Sequence, residues 1–165
     1  MANDAQRIFT TRNDLTARIR ESMVTLLNQQ LADTLDLYSQ VKQAHWNVKG
    51  MHFIQLHLLF DELAEDLLEF GDKIAERATA LGGMALGTAR IAAAQSQLPE
   101  FPVNLVNGKQ VVEVLAQRYG AYSSATRAAI DTADEHDDKT TADLFTEISR
   151  TIDKQLWFLD AHLQE

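Results

Sequence analysis

The stretch from His52 to Leu81 reads HFIQLHLLFDELAEDLLEFGDKIAERATAL, and it decides the fold. Phe53, Leu56, Phe60, Leu63, Leu67, Phe70 and Ile74 recur at three- and four-residue steps, the spacing of one buried stripe on a helix. Gly82-Gly83 follows and supplies a stop. Polar residues with metal-binding chemistry are interleaved: His57, Asp61, Asp72 and Glu76. An α-helix advances about 100° per residue, so with His57 at zero Asp61 lies at about 40°, Asp72 at about 60° and Glu76 at about 100°. All four share one face. A rise of about 1.5 Å per residue separates Asp61 from Asp72 by roughly 16 Å, too far for one ion. The face therefore carries two half-sites.

Working outward, a longer helix is expected before this one, from about Leu15 to Val48. Leu15, Ile19, Met23, Leu26, Leu27, Leu31, Leu35 and Tyr38 mark its stripe, with Thr11 or Asn13 as its cap and Lys49-Gly50 as its end. Gly82 to Asn107 holds Gly82, Gly83, Gly87, Pro99 and Pro102. It is too long for a tight turn and long enough to cross a bundle, with room for a short helix at Ala89 to Ser96. A third long helix is expected from Gly108 to Asp134 on Val111, Leu115, Tyr119 and Tyr122. A fourth is expected from Thr141 to Leu163 on Phe145, Ile148, Ile152, Leu156 and Leu159. The predicted fold is all-α: a four-helix bundle with a long crossover between helices two and three, the ferritin-like arrangement. The expected division is an N-terminal tail, 1–14, and a bundle domain, 15–165.

His45 lies about as far before the Gly50-Met51 turn as His57 lies after it. An antiparallel hairpin places equidistant residues at one level, so His45 joins His57 and Asp61. At the level of Asp72 and Glu76 the first helix offers only Asn28, Gln29 and Gln30. A two-fold dimer with the second helix packed antiparallel on its mate near Leu67 resolves this. Each His57/Asp61 end then meets the other subunit's Asp72/Glu76 end, and two equal shared sites form. Imidazole and carboxylate without sulfur suit iron, with Zn or Mn as substitutes.

Composition is consistent with this. The chain has 165 residues, no cysteine and a formal net charge of −9. Disulfides, thiolate-held metals and thiol nucleophiles are excluded. An acidic chain is a poor non-specific binder of nucleic acid. No apolar run has the length of a membrane span, and Met1 to Arg7 lacks the apolar stretch of a secretory signal. A cytoplasmic protein is expected, with nucleoid association as the variant.

The motifs resemble a known family. Lys42-Gln43-Ala44-His45-Trp46-Asn47-Val48-Lys49-Gly50 is similar to a signature of the Dps proteins, the mini-ferritins of bacteria and archaea. So are Asp72-Lys73-Ile74-Ala75-Glu76-Arg77 with Leu81-Gly82-Gly83, and Thr141-Ala142-Asp143 with Ser149-Arg150 and Asp153 to Leu159. The family pattern is His, eleven residues, His, three, Asp, ten, Asp, three, Glu, met here without departure at His45, His57, Asp61, Asp72 and Glu76. The resemblance implies a two-iron ferroxidase centre on these five residues, shared between two-fold mates. It also implies a hollow dodecamer, oxidation of Fe(II) preferentially by hydrogen peroxide, a ferric mineral core, and protection of the cell and its DNA. The alternative is a nucleoid-associated protein that protects DNA mainly by physical cover.

Four further expectations follow. Trp46, next to a ligand, is either an oxidisable aromatic beside the iron or an amphipathic packing residue, and Trp157 and Tyr38 are weaker candidates for the same role. The resemblance places Asp138 and Asp143, with Glu135 and Asp137 behind them, at a three-fold pore that draws in Fe(II); otherwise they cap a helix. His52 reads as a turn histidine and His162 as a tail residue, with adventitious metal binding as the alternative for either. Many Dps proteins bind DNA through a lysine-rich tail. Residues 1 to 20 here carry Arg7, Arg12, Arg18 and Arg20, no Lys, and the acids Asp4 and Asp14, so weak or absent DNA binding is expected.

Overall fold

A computed structural model describes residues 7–164. Five helices follow in order: α1 (Ala17–Asn47), α2 (Phe53–Ala80), α3 (Ala89–Gln95), α4 (Gly108–Glu135) and α5 (Lys139–Ala161). α1 and α2 form one antiparallel hairpin, α4 and α5 the other, and the segment carrying α3 crosses between them. Among the described residues no strand forms. The one extended pairing is an isolated parallel bridge between Lys49 and Asn107, where the Lys49 N–H donates to Val106 O at 2.8 Å. It ties the α1–α2 turn to the start of α4.

The apolar stripes meet in one core. Met23, Leu27, Leu37, Phe60, Leu67, Ile74, Leu115, Phe145 and Ile152 are fully buried, as are Tyr119 and Tyr122. The Tyr122 hydroxyl and Thr34 Oγ1 lie 2.6 Å apart, so one polar tip in this core is satisfied across α1 and α4.

Helix ends follow local chemistry. Gly50 sits at φ 116° and Gly82 at φ 86°, the left-handed stops expected after α1 and α2. The start of α1 differs from expectation. Thr11 Oγ1 accepts from Asn13 N, and Asn13 Oδ1 accepts from Leu15 N. These local turns hold the chain out of the helix, and the cap falls to Thr16, whose Oγ1 accepts from Ile19 N. Of the expected tail, residues 1–6 lie outside the described residues. Residues 7–14 hold no helix, and Phe9 N–H donates to Gly82 O at 2.7 Å, docking this arm on the end of α2.

The crossover is held by a polar row on α1. Asn28 donates to Met84 O and accepts from Leu86 N. Asp33 accepts from Gln97 N, Asp36 from Ser96 Oγ, and Gln40 donates to Pro99 O. Buried polar groups must be paired, and here loop backbone supplies most of the partners.

Candidate metal centre

His45 lies in the last turn of α1 and His57 just inside α2. Their rings stack with centroids 3.8 Å apart and an interplanar angle of 21°. His45 Nδ1 lies 2.8 Å from His57 O, and His57 Nδ1 lies 2.9 Å from His45 O. A carbonyl oxygen can only accept, so both Nδ1 atoms carry the proton and both Nε2 atoms keep a free lone pair. This is how metal-binding imidazoles are oriented from behind. The bond is available because α1 stops at Asn47. The His45 carbonyl would otherwise accept from Lys49 N, which is turned to Val106 O.

Asp61 completes the group one helical turn along α2. Its Oδ1 lies 3.7 Å from His45 Nε2 and 2.7 Å from Lys42 Nζ. The Lys42 hydrogen bond holds the Asp61 carboxyl below the ordinary value of 3.8; partial burial opposes this and the two histidines add to it. Lys42 Nζ also lies 5.9 Å from the centroid of the Trp46 ring, which is 63% exposed. Trp46 is therefore close to the group yet not packed in the core. Trp157 is 61% exposed and lies against Phe158, remote in sequence from the group.

Asp72 and Glu76 stand on the exposed surface of α2. The cations next to them in sequence face elsewhere. Lys73 pairs with Glu69 and Glu147 at 2.7 and 2.8 Å, and Arg77 with Asp138 at 2.7 Å and Thr141 at 2.9 Å. Adjacent helical residues diverge by about 100°, so these cations bind α5 and its N-cap while the two carboxylates look outward. Ile54, Leu58 and Leu68, each more than half exposed, continue the same outward face with Glu65. Leu67, the expected centre of a two-fold contact, has its own side chain fully buried in the core; the outward residues at that level are Glu65 and Leu68.

Within one chain the two half-sites remain apart. Among the described residues no three histidine or carboxylate groups converge tightly enough to hold an ion. Asn28 and Gln29, beside the second half-site in the hairpin register, are engaged by the crossover.

The acids expected at a pore differ in burial. Asp138 is 2% exposed, caps α5 through Thr141 N, and is ion-paired to Arg77. Its carboxylate is therefore engaged within its own chain. Asp143, Glu135 and Asp137 are exposed. The sequence signal for the Asp138 role was its place just before α5 in a Thr-rich first turn, a capping pattern. Lys42 is the residue that sequence reasoning missed; its position one turn before His45 was the available signal.

Comparison with known proteins agrees with this architecture. Residues 24–165 match the Ferritin family model, described as a ferritin-like domain. The DNA protection during starvation protein of Agrobacterium fabrum is 43% identical over 155 residues, covering 94% of this chain and 96% of that one. DpsC from Streptomyces coelicolor superposes with a TM-score of 0.91 at 33% identity, covering 96% of this chain and 92% of that one. The Dps of Mycobacterium smegmatis superposes with a TM-score of 0.91 at 27% identity, covering 94% and 95%. With its bundle, its crossover and its five-residue pattern all in place, the chain belongs to the Dps family of ferritin-like proteins.

Proposed function

We propose that this protein is a ferroxidase and iron store whose reaction sites form between two-fold-related subunits. Fe(II) is the substrate. His45, His57 and Asp61 of one subunit bind it together with the partner's Asp72 and the partner's Glu76. The observation that carries this is the outward face of α2, with oriented imidazoles at one end and two unencumbered carboxylates at the other. A two-fold axis passing between Glu65 and Leu68 aligns Asp61 with the partner's Asp72, and His57 with the partner's Glu76. Exposed Ile54, Leu58 and Leu68 supply apolar area along the same seam.

The donor set fits iron: two neutral nitrogens and three carboxylates stabilise Fe(III) over Fe(II), which makes the bound ion easier to oxidise. Hydrogen peroxide is the preferred oxidant. Two Fe(II) each give up one electron, the O–O bond breaks and takes both, and water then yields ferric oxyhydroxide with release of protons. Delivering both electrons together avoids free hydroxyl radical. Twelve subunits enclose the mineral, and exposed Asp143 with Asp137 and Glu135 draws cations toward a three-fold pore. DNA contact is weak: the arm from Arg7 is docked on Gly82, and the chain is acidic.

The test is anaerobic loading with Fe(II) followed by stopped-flow addition of peroxide. A fast ferric absorbance rise, using about two iron ions per peroxide and lost in His45→Ala, is the expected result. A rise no faster than in buffer overturns the proposal.

A further inference from the structure

A second histidine pair lies at the turn end of the bundle, away from the five residues above. His52, at the start of α2, and His162, at the end of α5, line one cleft of about 200 Å³. Leu56, Val112 and Leu163 form apolar walls, and Lys109, which also lines it, has an interaction partner of its own. Among the described residues the lining holds no carboxylate.

Both imidazoles are available. His162 Nδ1 lies 2.7 Å from Phe158 O, so it bears the proton and Nε2 keeps its lone pair, the same arrangement that orients His45 and His57. His52 occupies the N-cap position of α2 but makes no side-chain capping bond, so its ring is not committed to the helix start. The cleft exceeds several times the roughly 30 Å³ that a water molecule occupies in the liquid, leaving room for a partly hydrated ion.

We infer that His52 and His162 together bind a divalent first-row ion that prefers imidazole, Cu(II) most tightly and Zn(II) less so, with water filling the remaining positions. Nitrogen ligands without thiolate or carboxylate select these ions over Mg(II), Ca(II) and Mn(II), which seek oxygen, and Fe(II) stands low in the same affinity order. An ion here links the α1–α2 turn to the end of α5, two segments distant in sequence.

The test uses the assembled protein carrying His45→Ala and His57→Ala, titrated with Cu(II) by calorimetry and followed by electron paramagnetic resonance. The expected result is one ion per chain with couplings from two imidazole nitrogens. His52→Asn or His162→Asn should each weaken binding by about tenfold or more and reduce the couplings to one nitrogen, because a chelate becomes a single ligand. His136→Asn, at the opposite end of α4, should change nothing. If the double-alanine background does not assemble, the same titration of the unaltered protein shows two classes of site, and His52→Asn must remove one of them. A single-nitrogen signal in the parent, or unchanged affinity in both variants, overturns the inference. Neither outcome bears on iron oxidation, because the readout does not pass through those ligands.

Discussion

His45 and His57 each donate from Nδ1 to the other's backbone carbonyl, at 2.8 and 2.9 Å, so the two helices of the hairpin fix each other's imidazole. The acceptors are main-chain atoms and survive side-chain truncation. In His57→Ala the His45 ring therefore keeps its partner and its orientation, and only one ligand is lost. Peroxide-driven Fe(II) oxidation should fall by about a hundredfold or more, at or beyond the upper end of what loss of an outer partner costs a metal site. Stopped-flow kinetics checks this, and circular dichroism should show the helices unchanged.

The separation of the half-sites predicts an unusual complementation. Asp61→Ala and Glu76→Ala subunits should each be nearly inactive alone. In a mixed pair, one site carries both lesions and the other carries neither, so about half of the sites in each mixed pair should recover by symmetry. Co-expression with two affinity tags, followed by purification of doubly tagged protein and an oxidation assay, reads this directly. No recovery would mean that the five residues do not act across a subunit boundary.

Lys42 makes Asp61 a carboxylate that resists protonation. Its depressed value means that the ionised form, and the stability it brings, is complete above the ordinary 3.8 and is lost only as pH falls through the lower folded value. Lys42→Met should raise the Asp61 midpoint toward 3.8, measured by carboxyl-carbon NMR titration. At neutral pH, where Asp61 is charged in both forms, the variant should bind a divalent ion more tightly, because a competing ammonium 2.7 Å from the ligand oxygen is gone. Calorimetry with Co(II) gives that comparison.

Gly82 joins the arm to the bundle. Its φ is 86°, and a Cβ there would lie 2.6 Å from Phe9 O. Gly82→Ala meets both a left-handed backbone and this collision, at a cost of about 1–3 kcal/mol. The Phe9 N–H bond to Gly82 O should loosen first. The expected signature is faster proteolytic cleavage within residues 7–14 and a lower Tm.

The apolar stripes and the punctuation by Gly50, Gly82 and Gly83 made the helices legible in sequence, because periodicity is a local property. The five-residue pattern was legible for the same reason: four members share one helix face and His45 follows from hairpin register. What stayed hidden depends on side chains that reach across the fold. The row Asn28, Asp33, Asp36 and Gln40 looks like an ordinary polar face, and the crossover's groups explain why Asn28, Asp33 and Gln40 are buried. Lys42 could have pointed to water. The direction taken by Arg77, toward α5 and not toward Glu76, is equally invisible without the packing.

Asp138 and Asp143 separate a structural acid from a surface one. Asp138 Oδ1 accepts from Arg77 at 2.7 Å and from Thr141 N at 3.1 Å, with 2% of its side chain exposed. Asp138→Ala removes a helix cap and leaves a largely buried guanidinium without its carboxylate. Losses of this kind cost about 3–5 kcal/mol for a buried pair, and Arg77, 15% exposed, recovers part of that from water. A fall of about 2–4 kcal/mol in unfolding free energy is expected, measured by denaturant titration. Asp143→Asn should change stability by no more than about 0.5 kcal/mol, as an exposed substitution does. It should instead slow Fe(II) uptake, and more so at low ionic strength, where the field of an acidic funnel reaches furthest. If Asp138→Asn slowed uptake without loss of stability, the division of roles between these two residues would be reversed.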